Sequence, residues 1–220
     1  MKIKKLISAL VLGSMLVGLS GCNITDFSAE NLLRPPKAVG DEAEIEQLIA
    51  KTADSGYTLK YPKNGKFRSA IIMTDLDGND SNEAVAFFRN SAETSSVLML
   101  VMYSKDNSWE IASDNIFETT DIDSVDFADL TGNGKAEIIV NSTTYTPNVG
   151  KLSCYSYSEG KTNEVGSGQS CSSFVTGDFD NDGTSEIMSF VLYTTENEAL
   201  ASMLDYNEDS KSLYAKAMAN

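Results

Sequence analysis

Residues 178–186 run Asp178, Phe179, Asp180, Asn181, Asp182, Gly183, Thr184, Ser185, Glu186, and much of the remaining chain reads as variations on this stretch. Alternate acids in a tight loop point several carboxylates at one centre, as a hard cation such as Ca²⁺ requires with its six to eight oxygen ligands. Asp178, Asp180 and Asp182 have that alternation. Gly183, at the sixth position, lets the chain turn through positive φ without a Cβ penalty. Thr184 at the seventh then offers its backbone carbonyl, and Glu186 at the ninth closes the shell. An EF-hand is excluded, because it needs Glu at the twelfth position and a helix on each side. Here the twelfth residue is Ser189, and residues 187–192 have the apolar character of a strand.

The loop occurs twice more upstream. Residues 75–83 place Asp75, Asp77, Asn79, Ser81 and Glu83 at the first, third, fifth, seventh and ninth positions, and residues 129–137 place Asp129, Thr131, Asn133 and Glu137 at the first, third, fifth and ninth. Each copy has an apolar second residue (Leu76, Leu130, Phe179) and an apolar pair directly after the glutamate. Three copies in register, beginning at residues 75, 129 and 178, mark a repeat protein with a period near fifty.

A strand, an Asp-x-Asp-x-Asp-Gly-x-x-Glu loop and a buried strand at that period resemble the FG-GAP/VCBS repeats of integrin-type β-propellers and bacterial surface proteins. The stretch Leu32 to Lys37, followed by a short helix and Thr58-Leu59-Lys60-Tyr61-Pro62, is similar to VCBS-repeat lipoproteins of Firmicutes. The resemblance spans residues 32–220 and implies Ca²⁺-binding loops between the strands of propeller blades. Two features depart from it: the Phe-Gly and Gly-Ala-Pro pieces are absent, and the repeats number three.

Residues 1–21 read as an address rather than as structure. Lys2, Lys4 and Lys5 form a basic start, residues 6–17 are apolar, and Leu19-Ser20-Gly21-Cys22 is a lipobox. Cys22 is therefore the expected site of lipidation, with the chain exported and anchored to the outer face of a bacterial membrane; two acyl chains hold far better than one. Residues 22–40, with Pro35, Pro36 and Gly40, read as a tether. The whole chain has 17 Lys and Arg against 32 Asp and Glu; without the three leader lysines the balance is 14 against 32, or −18. Such a surface repels nucleic acid.

Residues 41–56 predict a short amphipathic helix, with Asp41, Glu42 and Glu44 at the N-terminal end of its dipole and Ile45, Leu48 and Ile49 on one face. At about three turns it needs the repeat body to dock on. Residues 57–220 predict three β-repeat units. Residues 84–88 and 97–103 are continuous apolar runs, as in strands buried on both faces, while residues 152–158 alternate more openly. Trp109 reads as core, and residues 213–220 suit either helix or strand. The fold class is all-β: three propeller-blade-like antiparallel repeats, as an open or partial β-propeller, plus one N-terminal helix. Closed propellers take four to eight blades, so three readings stand. The chain is a truncated product of a longer gene, an open arc whose last edge is covered by the helix, or one of two chains that complete each other.

The loops are unequal as ligand sets. Residues 178–186 carry four carboxylates and the glycine; residues 75–83 carry three with Asp80 in place of that glycine; residues 129–137 carry two and read as structural. The alternative for each is a tight polar turn without an ion. Cys154 and Cys171 on an exported chain can form a disulfide worth about 3 kcal/mol, or stay as buried thiols. There is no histidine, which removes histidine triads and most zinc sites. The leading expectation is a lipid-anchored, calcium-stabilised, non-catalytic β-repeat module that binds a protein or glycan partner. A carbohydrate-active enzyme using a carboxylate pair and a fragment without independent function are the alternatives.

Overall fold

A computed structural model describes residues 40–143, 149–193 and 198–216. The leader, Cys22, the tether up to residue 39 and residues 217–220 lie outside them. Helix α1 (Asp41–Asp54) begins after Gly40, whose φ of 62° starts the turn, and carries Asp41, Glu42 and Glu44 in its first turn and Lys51 in its last. It stops just short of the expected boundary: the Ser55 and Gly56 amides close back on the carbonyls of Thr52 and Ala53, and Gly56 takes φ 91°.

Among the described residues the regular structure after the helix is all strand, in three antiparallel sheets, none closed on itself. The first holds β1 (Tyr57–Lys60), β2 (Ile71–Thr74), β3 (Glu83–Asn90), β4 (Ser96–Lys105) and β5 (Ser108–Glu118). β1 and β2 share one edge of β3, pairing with its C-terminal and N-terminal halves respectively, so the sheet is four strands wide. The second sheet is the meander β6 (Ile122–Ala128), β7 (Glu137–Thr143), β8 (Gly150–Ser158), β9 (Lys161–Cys171). The third is β10 (Ser173–Gly177), β11 (Glu186–Tyr193), β12 (Glu198–Asn207), β13 (Ser212–Lys216). In each sheet an acidic loop joins the strand at the start of the meander to its neighbour. The hairpin turns at Asp106-Asn107 and Glu159-Gly160 place both central residues at positive φ, the primed geometry that suits strand twist.

The sheets pack in chain order. Side chains alternate across β3 and β4: Val85, Phe87, Val97, Met99 and Val101 meet Ile138, Val140, Tyr155 and Tyr157 of the second sheet. Their neighbours Ala84, Ala86, Phe88, Leu98, Leu100 and Met102 meet Ile45, Leu48 and Ile49 of α1, with Trp109 buried among them. A third cluster, including Ile139, Leu152, Cys154, Ile187 and Leu204, joins the second sheet to the third. Burying one such side chain contributes roughly 1.5–3 kcal/mol, so the two continuous apolar runs are strands with a core on both faces.

Four expectations are settled here. The helix docks on the repeat body, but it covers the outer face of the first sheet, not the last edge. β8 is buried on both faces over residues 152–155 and alternates only from 155 to 158, because its sheet is the middle layer. The segment after residue 211 is strand through Lys216. Cys154 and Cys171 are free, buried thiols: Cys154 lies opposite Gly166 and Cys171 opposite Gly150. That offset of four residues puts the backbones on the order of 13 Å apart, beyond the ~7 Å a disulfide spans.

Candidate metal centres

The three loops share one hydrogen-bond scheme, and each acid in it has a local reason. The first-position aspartate accepts backbone amides from across the turn: Asp75 from Gly78, Asn79 and Asp80 at 2.7, 3.2 and 2.9 Å. Asp129 accepts from Asn133 and Gly134 at 3.1 and 2.7 Å, and Asp178 from Asp182 and Gly183 at 3.1 Å each. The fifth residue accepts the seventh amide, so Asn79, Asn133 and Asp182 bind the N–H groups of Ser81, Lys135 and Thr184. The ninth-position glutamate turns inward and accepts the second amide, with Glu83, Glu137 and Glu186 each 2.8 Å from Leu76, Leu130 and Phe179.

Tight closure puts the sixth position in the left-handed region, at φ 64° for Asp80, 80° for Gly134 and 94° for Gly183. Asp80 therefore does what the missing glycine would do. The fourth position needs the same conformation, at Gly78, Gly132 and Asn181; Gly and Asn are the residues that adopt it at least cost, and their shared placement was a legible signal that the motif reading passed over.

The glutamates separate the loops. Glu83, Glu137 and Glu186 are all buried. In the second loop the other oxygen of Glu137 accepts the Thr131 hydroxyl at 3.2 Å, so the chain satisfies that carboxylate itself. Among the described residues, Glu186 Oε1 in the third loop has no hydrogen-bond partner, and Asp77 Oδ1 in the first has none. The structure brings Asp178, Asp180, Asp182 and Glu186 together with one oxygen each inside a 4.8 Å span, and Asp75, Asp77 and Glu83 likewise. Either cluster can hold a metal ion. The second loop assembles only Asp129 and Glu137 as carboxylates, beside Thr131 and Asn133.

Burial raises the pKa of all three glutamates, that of Glu83 to about 6 with a further contribution from Asp77 and Asp75. Asp182 moves the other way, held down by the Thr184 hydroxyl and amide. For Asp75 desolvation pushes up, and the amides of Asp80, Gly78, Asn79 and Asp77 together outweigh it. In the first and third centres a buried acid that resists ionising thus lies beside further carboxylates, an arrangement that a cation would stabilise.

The loops are neighbours in space. The Ser185 amide donates to the Asp129 carbonyl at 2.8 Å. A Cβ on Gly132 would lie 2.6 Å from Thr184 Cγ2, and one on Gly78 would lie 3.1 Å from the Gly134 carbonyl oxygen. Elsewhere, a cleft of about 510 Å³ between β6 and β10 contains Lys66, Asp123, Asp126 and Thr176. Its carboxylates are already engaged: Asp126 accepts the Thr176 hydroxyl at 2.7 Å and the Phe127 amide at 2.9 Å. Asp123 accepts the Asn64 side-chain amide at 2.8 Å.

These features define an all-β protein of three stacked antiparallel sheets, each carrying an acidic loop at the same point of its meander. No protein-family model matches the chain, and no curated protein matches it either.

Proposed function

We propose that the chain is an exported, calcium-stabilised β-repeat module of the FG-GAP/VCBS kind, anchored through lipid on Cys22, that displays its sheets to a protein or glycan partner and is not a catalyst. The observation that carries the ion is Glu186. It is a fully buried carboxylate with one oxygen on the Phe179 amide and the other unpartnered, facing three aspartates. Leaving a buried acceptor unpaired costs about 1–3 kcal/mol, and a cation coordinated there removes that cost. The donor set is all oxygen, with neither histidine nor cysteine, which favours Ca²⁺ over softer ions. The lipobox and the strongly acidic composition support an exported surface. The tied-down carboxylates of the cleft support the non-catalytic reading over a carbohydrate-active one.

The test is a thermal melt in EDTA and in millimolar Ca²⁺, with Asp178→Asn and Asp182→Asn alongside. Those substitutions keep a side-chain acceptor for the loop amides while removing charge. An ion at a hundred times its Kd adds about 2.7 kcal/mol, or roughly 5–10 °C for a domain of this size, and the variants should lose most of that rise. A cooperative wild-type melt that Ca²⁺ leaves unmoved would overturn the calcium reading.

A further inference from the structure

The third loop already holds a positive charge. Lys216, at the end of β13, ion-pairs with Asp180 Oδ2 and, at 3.0 Å, with Asp205 Oδ2. Asp180 belongs to the candidate ligand set; Asp205 lies on β12, outside the loop, and also accepts the Tyr214 hydroxyl at 3.0 Å. No such pair involves Asp75, Asp77 or Glu83: among the described residues the four ion pairs lie at Asp121, Asp180 and Asp205. The loop with the most carboxylates is therefore the one with an ammonium on its rim.

We propose that Lys216 is a built-in competing cation, which occupies Asp180 until a divalent ion takes that carboxylate and leaves the ammonium on Asp205 alone. This rests on the calcium reading above and specifies how that site is regulated. The consequences follow from charge. An ammonium paired with a carboxylate of the ligand set opposes a doubly charged ion and screens that set, so the affinity of the third loop falls below what four carboxylates would provide. The exchange also links ion occupancy to β13, the edge strand of the third sheet, because the tie between that strand and the loop loosens when the ion enters. Among the described residues the first loop has no such competitor.

The experiment is calorimetric titration of the chain with Ca²⁺ in low salt, comparing wild type, Lys216→Gln and Lys216→Arg, each in an Asp75→Asn/Asp77→Asn background that silences the first loop. Lys216→Gln should tighten binding about tenfold, with the gain shrinking as salt rises, while Lys216→Arg should bind like wild type. An independent readout needs no substitution at 216 to fold: with lysines carrying ¹³C-methyl labels, the Lys216 resonance should shift on Ca²⁺ addition as it leaves Asp180. Binding that is abolished by Asp178→Asn, yet equal in wild type and Lys216→Gln with an unmoved Lys216 signal, would overturn the competing cation and leave the calcium site standing. No Ca²⁺ binding in any variant, Lys216→Gln included, would overturn both.

Discussion

Replacing Glu83 with glutamine should have opposite effects with and without calcium. Glu83 is buried, accepts the Leu76 amide, and has a pKa raised to about 6 from an ordinary 4.5, chiefly by desolvation and then by Asp77 and Asp75. A raised carboxyl pKa means that the ion-free fold favours the protonated acid. Its contribution to stability is therefore fully present below pH 4.5, lost as pH rises through 6, and absent at pH 7. The difference is on the order of 2 kcal/mol. Glutamine keeps the acceptor for Leu76 and carries no charge, so at pH 7 in EDTA Glu83→Gln should be more stable by up to that amount, less about 1 kcal/mol for a weaker hydrogen bond. In saturating Ca²⁺ the order should reverse, because the variant loses a ligand. Urea denaturation from about pH 4 to 7.5, with EDTA or Ca²⁺, measures both. The wild type in EDTA should weaken between pH 4.5 and 6.5 and the variant should weaken less. If the two have the same pH slope in EDTA, burial of this carboxyl is not what sets the slope, and the argument fails.

Thr131→Val should cost about 1–2 kcal/mol by removing the hydroxyl that satisfies buried Glu137, and Ca²⁺ should not restore it if the second loop is structural; recovery of the urea midpoint on adding Ca²⁺ would contradict that. Ile45→Ala should cost about 2–5 kcal/mol, because Ile45 is the one fully buried residue of α1 and a helix of this length depends on docking. Hydrogen exchange should show α1 losing protection before the sheets, and a loss below about 0.5 kcal/mol would mean that the helix contributes little.

Much of the fold and of the candidate centres was legible in the sequence because its causes are local. Asp178, Asp180, Asp182 and Glu186 are set by turn geometry within nine residues, and the three copies in register dictate where strands start. The runs through Phe87–Phe88 and Val97–Val101 announce strands buried on both faces without reference to what covers them. Even Asp80 in place of glycine could be judged from backbone sterics alone. What covers each face was not written locally. That α1 lies on the first sheet depends on Ile45, Leu48 and Ile49 finding Ala86, Phe88 and Leu100, and the same stripe would have suited the far end of the stack equally well. Cys154 and Cys171 are separated by the register of β8 on β9, which bulges shift by single residues. Lys216 reaches Asp180 across 36 residues of sequence, through the pairing of β13 with β12, and no motif encodes that meeting. Turn chemistry and burial period are properties of short segments and can be read from them; the pairing of faces and the placing of one charge beside another are set only when the sheets pack.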